Sequence, residues 1–210
     1  MVHTSDVDHH SHDRLIRWAW AYDLTIGLLG RRGRRLRAMF ADELQLRPGD
    51  RVLDVGCGTG RLAMVFGDRV DPGGSVDGID AAAEMIKRAT ARARKRGIPV
   101  TFQVARAQQL PFPDATFDAV ACILALHHVA DDDQLTAVQE MYRVLKPGGR
   151  LLIAEFAKAP RFPHRGLRQL RSVAGNMVDK ALQFAVASGF TDATRGDTNL
   201  SWLGKITAHK

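Results

Sequence analysis

The nine residues Val52-Leu53-Asp54-Val55-Gly56-Cys57-Gly58-Thr59-Gly60 constrain this chain more than any other stretch. An apolar run long enough for one buried strand passes directly into three glycines at alternate positions, with an acidic residue two before the first. Glycine admits positive φ where a strand turns into a helix, and it leaves space for a ligand pressed against the main chain. The expected unit is a strand, a tight loop and a helix gathered around a nucleoside. A glycine turn with no ligand satisfies the same residues, so the downstream segments decide between the two.

Spacing separates the nucleoside cofactors. A dinucleotide fingerprint places its third glycine three residues after the second and seats a pyrophosphate on the helix N-terminus. Here that position holds Arg61, and the third glycine is Gly60, two after Gly58. Asp54 at the strand end repels a pyrophosphate but favours a cationic amine or a sulfonium. Ser75 to Asp80 reads as a second strand, its carboxylate placed where a ribose offers two hydroxyls. Glu84 to Arg96 carries Met85, Ile86, Ala89 and Ala93 at helical spacing, with Glu84 and Arg88 as an i,i+4 pair and cations at its C-terminal end. Val100–Val104, Phe117–Cys122 and Arg150–Ala154 are further strand candidates. Strands alternating with helices imply a parallel sheet covered on both faces.

The ordered set comprises the loop, Gly78-Ile79-Asp80, the stretch Leu110 to Asp118, the pair His127-His128, and Val144 to Arg150. Together, across roughly residues 45 to 208, it resembles the class I S-adenosylmethionine-dependent methyltransferases. The resemblance implies an α/β fold, a Rossmann-like doubly wound sheet of seven strands whose last strand is antiparallel and inserted by a hairpin. The C-terminal region agrees: Asn176 is a candidate cap for a helix ending near Gly189, followed by strand candidates Thr191–Asp197 and Ser201–Ala208. The resemblance also implies S-adenosylmethionine as cofactor. Its contacts are expected at Tyr22, Asp54, Gly56, Cys57, Gly58, Gly60, Asp80, Ala81, Met85, Arg106, Ala107, Gln108 and Ile123.

One departure falls at Ala105-Arg106-Ala107. Similar enzymes commonly carry an acidic side chain there that pairs with the adenine amino group, whereas arginine has no acceptor. Adenine recognition is left to a backbone carbonyl, to Gln108, or to nothing specific.

An activated sulfonium methyl needs mainly an aligned nucleophile and exclusion of water. For a hydroxyl acceptor a base near neutral pKa helps, and His127 and His128 follow the fourth strand where the crevice opens, with Glu155 after the fifth to support one of them. This step resembles small-molecule O-methyltransferases; packing or capping by the same histidines is the competing reading. The expected acceptor is a small molecule, anionic, aromatic or lipid-like, with Lys158 to Gly175 facing it. O-, C- and N-methylation all stay open. Two other classes stay open as well: a non-catalytic cofactor-binding or partner-activating protein, and, more weakly, a nicotinamide oxidoreductase.

With 210 residues, 45% of them hydrophobic, the chain suits one domain over 47–210 preceded by helices or a lid over 14–46 and a polar tail over 1–13. The tail's His3, His9, His10 and His12 show no ligand spacing, so no metal is assigned. Leu15 to Leu29 is apolar but too short, and too interrupted by Arg17 and Asp23, to span a bilayer. It resembles the N-terminal helices of quinone- and lipid-modifying methyltransferases, where a step such as Tyr22-Asp23 begins a lid; a helix packed on the sheet is the alternative. No secretory signal is expected, and two cysteines, Cys57 and Cys122, form neither a disulfide framework nor a metal set, which suits the cytoplasm. The net charge of +7 includes a cluster from Arg31 to Arg37. Nucleic acid is disfavoured because Cys122-Ile123-Leu124-Ala125-Leu126 stands where amino-methylating nucleic-acid enzymes carry Asn/Asp-Pro-Pro-Tyr/Phe. Aromatics followed by arginines suit peripheral contact with an anionic membrane surface, and a solvated helix face explains them equally. Oligomeric state is open.

Overall fold

A computed structural model describes residues 30–98, 100–158 and 176–210. Along them run α1 (Gly30–Glu43), β1 (Arg51–Val55), α2 (Arg61–Val70), β2 (Ser75–Asp80), α3 (Ala83–Arg96), β3 (Val100–Val104), β4 (Phe117–Ile123), α4 (Gln134–Val144), β5 (Leu145–Phe156), α5 (Met177–Ala187), β6 (Thr191–Asp197) and β7 (Leu203–His209). The strands form one sheet in the order β3-β2-β1-β4-β5-β7-β6. From β3 to β5 every pairing is parallel, while β7 is antiparallel to both β5 and β6. The β6–β7 hairpin therefore lays its second strand between β5 and β6, as the resemblance implies.

The strand order reverses between β1 and β4. Chains leaving those two strands go to opposite sides, so a crevice opens beyond their carboxyl ends.

Period-2 alternation in β1 feeds two cores. Val52 joins the layer of Leu36, Phe40, Ala41 and Leu44 from α1 and Ala63, Phe66 and Val70 from α2. Leu53 and Val55 face the opposite layer, with Ala137, Val138 and Met141 from α4 and Val178, Ala181 and Ala185 from α5. Each fully buried Leu or Phe in these layers contributes about 2–3 kcal/mol of transfer free energy. The second half of α1 is therefore part of the core. Its last turns hold the sheet face that carries Asp54.

Three local expectations shift. β5 starts at Leu145, not Arg150: Leu145 pairs with Phe117 and Arg150 with Ala119, and a register irregularity absorbs the residues between. Asn176 does begin α5, but in the left-handed region at φ 57 and without a side-chain cap; its carbonyl accepts the Lys180 N–H. β7 begins at Leu203, not Ser201, because Leu203 N–H and its carbonyl are first bound to Leu200 O and the Thr198 hydroxyl. The tail and the apolar stretch Leu15–Leu29, with Tyr22, lie outside the described residues, as does most of Lys158–Gly175.

Candidate functional site

The three loop glycines all have positive φ, at 71 for Gly56, 52 for Gly58 and 73 for Gly60. They are needed for different reasons. A Cβ at Gly56 would lie 2.2 Å from the Ala125 Cβ, and one at Gly60 would lie 2.6 Å from the Phe102 ring. These two glycines let the loop pack against the turn after β4 and against β3. Only Gly58 opens onto free space, with nothing within 4 Å of its would-be Cβ. Packing within the protein thus already demands glycine at Gly56 and Gly60, whereas at Gly58 the space beside the main chain is open.

The loop is clamped to β2. Cys57 N–H donates to Ile79 O at 2.8 Å, and Gly58 N–H donates to Asp80 Oδ2 at 2.9 Å. Asp80 also accepts the Ala82 N–H through Oδ1 at 2.9 Å. Burial raises its pKa, and these two N–H groups pull the other way. Both oxygens keep a second lone pair, so a carboxylate aimed this way can take a vicinal diol.

Asp54 is 2% exposed, and its Oδ2 has no hydrogen-bond partner among the described residues. Burial, then the nearby Asp80, push its pKa up to about 7, while the Ala63 N–H lowers it. Ala63 is in the first turn of α2. The first turn that would cradle a pyrophosphate thus gives an N–H to a carboxylate, which argues against a dinucleotide. An orphaned, buried carboxylate oxygen costs several kcal/mol unless a partner arrives, and a cationic amine supplies both charge and hydrogen bond.

The remaining expected contacts scatter in quality. Ala81 is exposed beside Asp80, and Ile123 is half-buried at the end of β4. Met85 is buried in α3 and is a packing residue as much as a site residue. Arg106 is exposed; it pairs with Gln109 in a tight turn that includes Ala107 and Gln108. Gln108 Nε2 donates to Asp133 Oδ2 at 3.2 Å. Asp133 is not among the expected contacts. Its only signal in the sequence is an acidic residue just before a helical run.

Across the switch point, Leu126–His128 forms a short 3-10 turn. His127 Nδ1 lies 2.9 Å from Glu155 Oε2, and Glu155 Oε1 accepts the Leu126 N–H at 2.9 Å. Glu155 is fully buried and the His127 side chain is 5% exposed. Glu155 already accepts the Leu126 and His127 main-chain N–H groups and takes the His127 Nδ1–H as its third donor, which leaves Nε2 as the nitrogen free for a proton. The His128 ring stands 4.1 Å from that of His127, and Phe156 flanks His127 at 5.0 Å. His128 is exposed as a residue, yet desolvation of its ring, with His127 beside it, holds its pKa below the ordinary imidazole value. The structure thus separates two histidines that the sequence presents as equivalent.

Cys57 and Cys122 are both free and buried, and burial followed by neighbouring carboxylates pushes their thiols up, so neither is a nucleophile. A cavity of about 380 Å³ lies at the opposite end of the sheet, by the amino ends of β1 and β4, lined by Arg47, Asp50, Asp118, Lys146, Arg150 and His209. Four of its charged groups pair with one another, Arg150–Asp50 at 2.6 Å and Lys146–Asp118 at 2.7 Å.

Comparison with known proteins gives concordant results. A methyltransferase domain family matches residues 52–149. The ubiquinone/menaquinone biosynthesis C-methyltransferase UbiE of Pseudomonas paraeruginosa is 42% identical over 140 residues, 65% of this chain and 54% of the relative. The chain spans about half the length of the curated relatives it matches. Among solved structures, a SAM-dependent methyltransferase from Aquifex aeolicus superposes with a TM-score of 0.73 at 23% identity, covering 88% of this chain and 96% of that one. The [4+2]-cyclase SpnF superposes at 0.72 with 25% identity, covering 86% and 82%.

Proposed function

Because this chain belongs to the class I S-adenosylmethionine-dependent methyltransferases, we propose that it methylates a small hydroxylated, quinol-like ring. The observation that carries the cofactor reading is the orphaned Oδ2 of Asp54 beside the diol-ready carboxylate of Asp80. Asp54 would hold the cofactor's ammonium, Asp80 its ribose, and Gly58 the space between them.

When bound, the cofactor supplies an electrophilic methyl whose bond to sulfur breaks as the acceptor's bond to that carbon forms. The chain's own part is proton management and exclusion of water. His127 Nε2 takes the acceptor's hydroxyl proton, which turns the ring into an electron-rich oxyanion; Glu155 fixes the imidazole through Nδ1 and is a positioning residue. The relatives' quinone C-methyltransferase name supports ring carbon as the methylated atom, since an ionised ring hydroxyl activates the carbon beside it; that carbon's own proton then leaves as the hydroxyl is restored, so one proton in all is released, through His127. Arg34 and Arg35, exposed on α1, support contact with an anionic surface where a lipid-like acceptor would reside.

The test is transfer of a labelled methyl from S-adenosylmethionine to a panel of hydroquinones and phenols. Label on ring carbon supports the proposal. Tight cofactor binding with no label on any acceptor would instead support a non-catalytic binding protein, a class that keeps the same fold.

A further inference from the structure

Arg106 offers only donors at the β3 end, where a purine amino group needs an acceptor. The turn that carries it is fixed to the Asp80 strand end, since Ala105 N–H donates to Asp80 O at 3.2 Å. Within that turn Gln108 is half-buried, and its Nε2 donates to Asp133 Oδ2. An ionised carboxylate accepts only, so the amide must turn its NH2 toward Asp133 and its carbonyl Oε1 away from it. Among the described residues Oε1 has no hydrogen-bond partner.

Asp133 ends a 3-10 turn, Asp131–Asp133, that runs directly into α4; its backbone is helical and its side chain makes no capping bond to the helix. Its carboxylate instead reaches across to another loop, 25 residues earlier in the chain, and sets the orientation of one amide.

We infer that Gln108 Oε1 is the acceptor for the cofactor's adenine 6-amino group, with Asp133 as the positioning residue that fixes the amide. The inference rests on the cofactor reading above. It predicts that the protein reads the 6-amino group through a neutral amide, with Arg106 left facing solvent.

Calorimetric titration of the purified protein with S-adenosylhomocysteine and with S-inosylhomocysteine, which carries a carbonyl oxygen in place of the 6-amino group, tests it without any turnover. The wild type should prefer the adenosyl ligand by roughly tenfold or more, because two acceptors then face each other in the inosyl complex. Gln108→Leu should abolish that preference, and Asp133→Ala, which frees the amide to flip, should reduce it. Asp80→Ala should weaken both ligands and leave their ratio intact. Equal affinities in the wild type, or an undiminished ratio in Gln108→Leu with a native unfolding transition, would overturn the assignment. Binding of neither ligand by the wild type would overturn the cofactor reading itself, a result separable from the other two.

Discussion

Replacing Asp54 by Asn should make the ligand-free protein more stable and the cofactor complex weaker. The carboxyl is 2% exposed, with one oxygen unpartnered and Asp80 close by. Its rise from the ordinary 3.8 to about 7 corresponds to an upper bound of about 4 kcal/mol of native-state cost once it is ionised. In the unfolded chain the group ionises near its ordinary value, so between about pH 4 and 7 the native state binds the extra proton. The stability associated with that proton is present in acid and lost as the pH rises through about 7. Asn carries no charge, but its NH2 in place of Oδ2 has no acceptor, which costs roughly 1–3 kcal/mol. A net gain of about 1–3 kcal/mol is expected at about pH 8, shrinking to nothing near pH 5. Urea unfolding at the two pH values reads it. Cofactor affinity should fall by roughly 10- to 100-fold through loss of a charged hydrogen bond. An Asp54→Asn protein no more stable than the parent at the higher pH would refute the argument that this carboxylate is held ionised at a cost.

His127→Asn should lower the methyl-transfer rate by about 10²–10⁴ with cofactor affinity unchanged, and His128→Asn far less; equal losses would reject the division of labour between them. Gly56→Ala forces both positive φ and a clash with Ala125 and should cost roughly 3 kcal/mol, whereas Gly58→Ala meets open space and should cost about 1 kcal/mol while still weakening cofactor binding. Thermal unfolding and calorimetry on the two variants separate these outcomes, and a reversed order of stability would show the loop packs otherwise. Sedimentation with anionic lipid vesicles should retain the protein at low salt and release it at high salt, and an Arg34→Glu/Arg35→Glu double variant should fail to sediment.

Much of this was legible in sequence because it is local. The β1-loop-α2 unit follows from Val52–Gly60, and Asp80 from its place at the end of an alternating strand. The placement of β7 between β5 and β6 was not local; it came from the resemblance and is seen in the register of Arg150 against His209. Residues far apart in sequence carried the least signal. Glu155 could be placed at a strand end as support for one of the two histidines, but not which of them it holds or through which nitrogen, and the Gln108–Asp133 contact left no periodic trace at all. The glycines show a further limit: spacing indicates that a side chain is excluded, but only packing reveals that Ala125 and Phe102 do the excluding at Gly56 and Gly60.

Isothermal titration of the purified protein with S-adenosylhomocysteine at neutral pH, run in two buffers of different ionisation enthalpy, tests the central claim most directly. One site with a dissociation constant on the order of micromolar is predicted, with release of part of a proton as Asp54 ionises against the ligand's ammonium. No heat at about a millimolar ligand, or tighter binding of NAD under the same conditions, would contradict it.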